Sequence, residues 1–272
     1  MIGDKVAITM GEARSKQRRR QEFFKQHPFC CYCGGNVIAT TVDHVPSRQT
    51  FALKRRPKGL EVPACHACNQ YTAKHEQVAA LIARMYPDPP KKAEQEEVRK
   101  LMKAISKNNP GLLEEMQPSW RQQYDFQQTA INLPRVGGVL NASGPLLKES
   151  MHVFAVKSCL ALHYVQTGKI VPQSGGVAAR WYSNFDRLTN SIPDDLLGLF
   201  GNHATLKQGS WDVEDQFGYS WAIAKDAEMA AYFAGFRQSF AIVGFVHHDR
   251  SAFPTLPSLD VTLPGFVSAQ NK

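Results

Sequence analysis

The spacing of apolar residues changes character several times along the chain, and each change marks a different kind of element. Residues 12–27 are strongly basic and keep Phe23 and Phe24 as adjacent apolar anchors, which predicts an amphipathic helix ending near His27-Pro28. From Phe29 to Asn69 large apolar residues are scarce, and the β-branched run Val37–Val42 predicts one short strand leading into Asp43-His44. After Asn69 a helical period takes over, with Val78, Leu81, Ile82 and Met85 on one face as far as Pro87, and Pro89-Pro90 ends it. A second, highly charged helix is predicted over 91–107, its apolar stripe narrowed to Val98, Leu101, Met102 and Ile105. Beyond Pro110 the chain becomes richer in aromatics. A long helix is predicted over about 146–167, closed by Gly168, and strand-like runs follow at Trp181–Phe185, Tyr219–Ala224 and Phe240–His247. Pro254, Pro257 and Pro264 predict an irregular tail. Together these elements describe an α+β chain of two domains, 1–107 and 108–272, with no internal repeat.

The stretch 29–69 is too poor in large side chains to fold without a staple, and the cysteines supply one. Five of the six, Cys30, Cys31, Cys33, Cys65 and Cys68, lie in the first quarter of the chain, and Cys159 alone sits in the long helix, where a core role suits it. Cys30-x-x-Cys33 and Cys65-x-x-Cys68 are two chelating pairs, the spacing that lets four thiolates surround one structural zinc ion. Gly34 and Gly35 suit the tight turn after the first pair. Cys31 is a spare thiol able to replace a neighbour in this reading, and His66 inside the second pair is an alternative ligand. The opening Met1–Gly11 and the basic residues after it lack a secretory core and cleavage site, so a reducing, cytoplasmic setting is expected. No apolar run has the length of a bilayer span, which argues against a membrane partner.

Charge divides unevenly. The first 107 residues hold 20 Lys and Arg against 10 Asp and Glu, and the rest hold 12 against 14. A basic excess confined to the cysteine-bearing half is the footprint of a polyphosphate partner, although a solvated basic face has the same composition. The clusters Arg18, Arg19, Arg20 and Lys54, Arg55, Arg56, Lys58 flank the cysteine pairs, and Lys74 follows them; all are candidate phosphate contacts that position nucleic acid without reading its sequence.

Between the two pairs lies Val42-Asp43-His44-Val45-Pro46, and Asn69 follows the second pair directly. The order Cys-x-x-Cys, Asp-His-x-Pro, Cys-x-x-Cys-Asn over residues 29–76 resembles the HNH, or ββα-metal, endonucleases that carry a four-cysteine zinc site. That resemblance implies a small zinc-stapled ββα module in which Asp43 and Asn69 hold one catalytic divalent cation, Mg²⁺ or Mn²⁺, and His44 is the general base. Such chemistry is coherent on its own terms: an imidazole deprotonates water near neutral pH, and a cation held by oxygen ligands stabilises charge at a scissile phosphate. One position departs from the family pattern. The middle asparagine that orients the base is missing from Gly59–Ala64, where Glu61 offers the acceptor that would hold the His44 ring in its basic tautomer.

The expected activity is metal-dependent hydrolysis of DNA, RNA remaining open, and the alternative is a non-catalytic zinc-dependent nucleic-acid-binding protein. A protein-interaction zinc ribbon is a third reading. The C-terminal half gives no such motif: His152, His163, His203, His247 and His248 show no ligand spacing, and Trp181, Trp211, Tyr219, Trp221 and Phe240 read as core. Targeting, regulation or homodimerisation are the roles open to it.

Overall fold

The computed structural model describes residues 15, 17–85, 91–129, 140–189, 191–193, 198–203, 206–208, 211–213, 215–255 and 260–265, with the side chains at 125–129, 187–188, 202–203, 207–208 and 211–212 outside that set. Helix α1 covers residues 17–26; the expected start near residue 12 lies outside the described residues. A hairpin follows, β1 (Thr41–His44) paired antiparallel with β2 (Glu61–Ala64), and then α2 (His66–Met85). The first half ends in α3 (Lys92–Asn108), and α4 (Leu112–Glu115) and α5 (Trp120–Thr129) come next.

At the centre lies α6 (Pro145–Thr167), in which every residue from Val153 to His163 is buried. A helix without a polar face must be covered on all sides. One side packs on a six-stranded antiparallel sheet, of order β10-β3-β9-β8-β7-β4, and another packs on α2. Its strands are β3 (Gly176–Ser183), β4 (Asn202–His203), β7 (Phe217–Ile223), β8 (Met229–Phe236), β9 (Phe240–His247) and β10 (Val261–Thr262). Short β5 (Lys207–Gln208) and β6 (Trp211–Asp212) pair separately. Because α6 belongs to the second half and α2 to the first, buried side chains of both form one continuous core, from Tyr32 and Val62 through Phe154 to Tyr232 and Phe236. Among the described residues no helix is long and apolar enough to cross a membrane.

Several elements differ from their sequence expectation. The run expected as a strand over Trp181–Phe185 begins earlier, at Gly176, and stops at Ser183. There Ser183 and Asp186 form a reciprocal cap, Ser183 N–H to Asp186 Oδ2 at 2.7 Å and Asp186 N–H to Ser183 Oγ at 3.3 Å, which starts α7 (Asn184–Leu188). The β-branched run before Asp43 pairs only from Thr41 onward; ahead of it Ile38 makes a single bridge to Phe29. Helix α2 begins within the second cysteine pair and not after Asn69. Within the proline-rich tail, expected to be irregular, β10 joins the sheet beside β3, and the Gly265 N–H reaches the Tyr32 carbonyl at 2.7 Å.

Candidate metal centre and nucleic-acid interface

The first cysteine pair sits on a turn, Cys30–Gly35, closed by Cys30 N–H to the Val37 carbonyl at 2.7 Å. Gly34 has φ +69°, and a Cβ there would lie 2.9 Å from the Gln173 backbone nitrogen, so the turn needs a glycine both for its conformation and for space. The second pair spans the end of β2 and the first turn of α2, where Cys68 N–H points at Cys65 Sγ at 3.4 Å. The Sγ atoms of Cys30, Cys33, Cys65 and Cys68 all lie within 4.8 Å of one another, and all four residues are buried. Cys33 Sγ stands 3.3 Å from Cys68 and 3.7 Å from Cys65, close to the roughly 3.8 Å edge of a tetrahedral zinc–thiolate site. Contacts from Cys33 and Cys68 pull the Cys30 thiol down to about 2, and the same contacts push Cys33 and Cys68 up. Four sulfurs at this spacing ionise together only around a cation, so the cluster is able to hold a metal ion such as zinc. Cys31 stands outside it, its thiol raised by complete burial, and His66 is exposed.

The hairpin then separates two neighbours. Strand alternation turns Asp43 inward and His44 outward. Asp43 is 5% exposed, and its carboxylate is taken up by three donors: Oδ1 accepts from the His44 backbone N–H at 2.8 Å, and Oδ2 accepts from the Tyr32 hydroxyl at 2.8 Å and from Lys157 Nζ at 2.7 Å. Lys157, fully buried in the middle of α6, also donates to Glu76 Oε1 of α2 at 2.6 Å and lies over the Tyr32 ring. Burial pushes the Glu76 carboxyl up to about 7 against the pull of Lys157, and the two carboxylates hold Lys157 above its ordinary range despite its desolvation. Asn69 in the first turn of α2 is half-buried, and its Nδ2 donates to Thr41 Oγ1 at 3.2 Å on the same face of β1 as Asp43.

On the opposite face, His44 is paired in register with Glu61, and His44 Nδ1 lies 3.5 Å from Glu61 Oε1. The same ring nitrogen meets Arg56 Nη1, and Arg56 Nη2 reaches Glu61 Oε1 at 3.2 Å. A guanidinium only donates, so Nδ1 is the acceptor in this arrangement. Burial first, and the Arg56 charge second, hold the imidazole below its usual range, so it is neutral at neutral pH.

Arg56 belongs to the 45–60 connection, which is held from both halves of the chain. Ala52 N–H donates to Gln216 Oε1 at 2.8 Å, Leu53 N–H donates to Glu97 Oε2 at 3.2 Å, and Arg84 Nη1 donates to the Gln49 carbonyl at 3.3 Å. Leu53 and Lys54 follow each other at φ +53° and +56°, a conformation costing on the order of 1–3 kcal/mol per residue that persists only where neighbours impose it. Lys54 and Lys58 are exposed on this loop, and Arg55 is half-buried. On α1, Arg18 pairs with Glu22 at 3.2 Å, Arg19 reaches Ser15, and Arg20 Nη2 donates to the Thr40 carbonyl at 2.6 Å beside the hairpin. Lys74 is exposed and lies over the Tyr71 ring.

Comparison with family models, curated proteins and solved structures finds no match for this chain. Its chemistry therefore has to be read from its own residues.

Three residues of the Asp43 cluster, Tyr32, Glu76 and Lys157, escaped the sequence reading. A signal for Lys157 was present: one charge inside the apolar run Val153–Leu162 has to find a buried partner. Of the C-terminal histidines, His163 is buried between the Tyr232 hydroxyl at 3.1 Å and His248 Nε2 at 3.0 Å, and His152 contacts Thr262 Oγ1 at 2.9 Å. Tyr219 and Phe240 are buried and Trp181 and Trp221 partly so, whereas the side chains of Trp211 and His203 lie outside the described residues.

Proposed function

We propose that this chain is a zinc-stapled nuclease of the HNH type that hydrolyses DNA phosphodiesters, with His44 as general base. The observation that carries the reading is the pairing of His44 with Glu61 across the hairpin, on the half-open face of a strand–strand–helix unit and in contact with an arginine of a basic loop. A phosphodiester entering that face takes Arg56 as its bidentate partner, which withdraws the guanidinium from His44. The neutral ring then exchanges its one proton through solvent from Nε2 to Nδ1, where Glu61 accepts the hydrogen bond, and Nε2 is left with the lone pair that deprotonates water. Arg56 on the phosphate oppositely charges the region where negative charge develops. Lys54, Lys58 and the arginines of α1 hold the backbone of the nucleic acid alongside. Zinc at the four cysteines keeps β2 and α2 in place.

The family resemblance also assigns Mg²⁺ or Mn²⁺ to Asp43 and Asn69. The residues do not fit that group in this arrangement, because the Asp43 carboxylate already accepts three donors, one of them an ammonium. The same observation favours a second reading, a non-catalytic zinc-dependent nucleic-acid-binding protein.

Conversion of supercoiled plasmid to nicked or linear forms separates the two, run on the zinc-loaded chain with Mg²⁺, with Mn²⁺ and with EDTA, and with an RNA substrate in parallel. Cleavage lost in a folded His44→Ala variant is expected. Tight, salt-sensitive DNA binding without cleavage under any of these conditions would replace the nuclease reading by the binding one.

A further inference from the structure

The ion cluster behind β1 is built from both halves of the chain and is unused by the proposed chemistry. We propose that Lys157 is a built-in cation: its ammonium fills the place beside Asp43 that the resemblance gives to a divalent metal, and Asp43 is a positioning residue for β1 and not a metal ligand. Three features carry this. The first is occupancy, since each Asp43 oxygen already accepts a donor and Oδ2 accepts two, and the donors come from three separate elements, β1 itself, the first cysteine turn and α6. The second is access. Asp43 is 5% exposed, Glu76 7% and Lys157 0%, whereas Mg²⁺ and Mn²⁺ sites retain several water ligands and a catalytic cation needs open positions for substrate.

The third feature is charge. One ammonium already answers two carboxylates at 2.7 and 2.6 Å, so a dication on Asp43 Oδ2 would share that oxygen with a like charge buried in the core. Lys157 is flanked along α6 by buried Val153, Phe154, Val156 and Leu160, and the Tyr32 ring closes its other side at 5.5 Å. The fold has thus exchanged a diffusible ion for a covalently tethered one at this position. Asp43 then accepts the His44 backbone N–H and fixes the end of β1 from which the imidazole projects outward.

The inference stands apart from the nuclease reading, because its test locates a cation and does not measure cleavage. Crystals of the wild-type chain soaked in Mn²⁺ and recorded at the manganese absorption edge are expected to show no anomalous peak within ligand distance of an Asp43 oxygen, whether or not manganese binds elsewhere. A peak there, with Lys157 displaced, overturns the proposal. In solution, Mn²⁺ titration followed by calorimetry is expected to be unchanged by Asp43→Asn, and loss of a Mn²⁺ site in that variant while it retains zinc overturns it too. Lys157→Ala should gain a Mn²⁺ site that Lys157→Ala with Asp43→Asn lacks; a folded, zinc-loaded Lys157→Ala chain that gains none contradicts the exchange. Should Lys157→Ala fail to fold, the wild-type crystals still decide.

Discussion

Asp43 and His44 are neighbours in sequence and opposites in environment. Behind β1, Asp43 meets Tyr32, Lys157 and, through Lys157, Glu76, in a closed ion cluster contributed by both halves of the chain. In front of it, His44 is about one third exposed and meets Glu61 and Arg56 on the hairpin and its connecting loop. A dipeptide that a motif treats as one unit is divided by strand pleating into a buried, ion-paired residue and a half-open one. Perturbing the inner face should therefore cost stability, and perturbing the outer face should cost chemistry.

The largest effect is expected where both faces depend on one support. Removing metal with a strong chelator, or Cys68→Ser, should unfold the hairpin and the start of α2 together, because binding free energy at a four-thiolate site of this kind is folding free energy. Zinc stoichiometry, with hydrogen exchange at Val42, Val62 and Cys68, reports it; persistence of protected hairpin amides in the metal-free chain would show that the staple is dispensable.

Next comes the contrast itself. Lys157→Met leaves two buried carboxylates without their cation and should cost about 3–5 kcal/mol in a urea titration. His44→Ala, on the half-open face, should change stability by only about 0.5 kcal/mol or less. Similar losses for the two substitutions would erase the distinction between the faces.

Acid should expose the buried side further. Burial holds His75 and His163 down at about 4, against 6.5 for the free side chain. Their contribution to stability is full above pH 6.5 and lost as pH falls toward 4, since the unfolded chain binds protons that the folded one refuses. Each term is on the order of 3 kcal/mol. Glu76 opposes them: burial holds it at about 7, above the 4.5 of the free side chain, so its contribution is present below pH 4.5 and lost as pH rises through 7. Urea midpoints from pH 7.5 to 5 should fall less steeply in His163→Gln than in the wild type, and an unchanged slope would remove His163 from this account.

The smallest expected effect belongs to the outer face. Arg56 lowers the His44 pKa and Glu61 raises it, so Arg56→Ala should move the imidazole titration upward and Glu61→Gln downward, read by NMR of the ring protons. A His44 titration indifferent to both would mean that neither residue governs its tautomer.

Much of the local architecture was legible in the sequence, because it rests on short-range spacing. The paired cysteines and Gly34 announced the four-cysteine cluster, Gly168 closed α6, and the β-formers of Phe240–His247 marked a strand end to end. Strand β8, Met-Ala-Ala-Tyr-Phe-Ala-Gly-Phe, went unread because its alanines and glycine carry little strand preference; its pairing with β7 and β9 determines it. The Asp43 cluster was illegible for a different reason. Its members stand at positions 32, 43, 76 and 157 and are joined only by the packing of α6 on α2 and the hairpin, which no local pattern encodes.

Whether His44 is the reacting group is decided by plasmid cleavage by the folded, zinc-loaded wild type beside His44→Ala. Cleavage is expected from the wild type and not from His44→Ala, with zinc content unchanged and stability within about 0.5 kcal/mol of the wild type. A His44→Ala chain that cleaves like the wild type, or a wild type that binds DNA without cutting it, would contradict the assignment of the outer face of β1 as the reacting one.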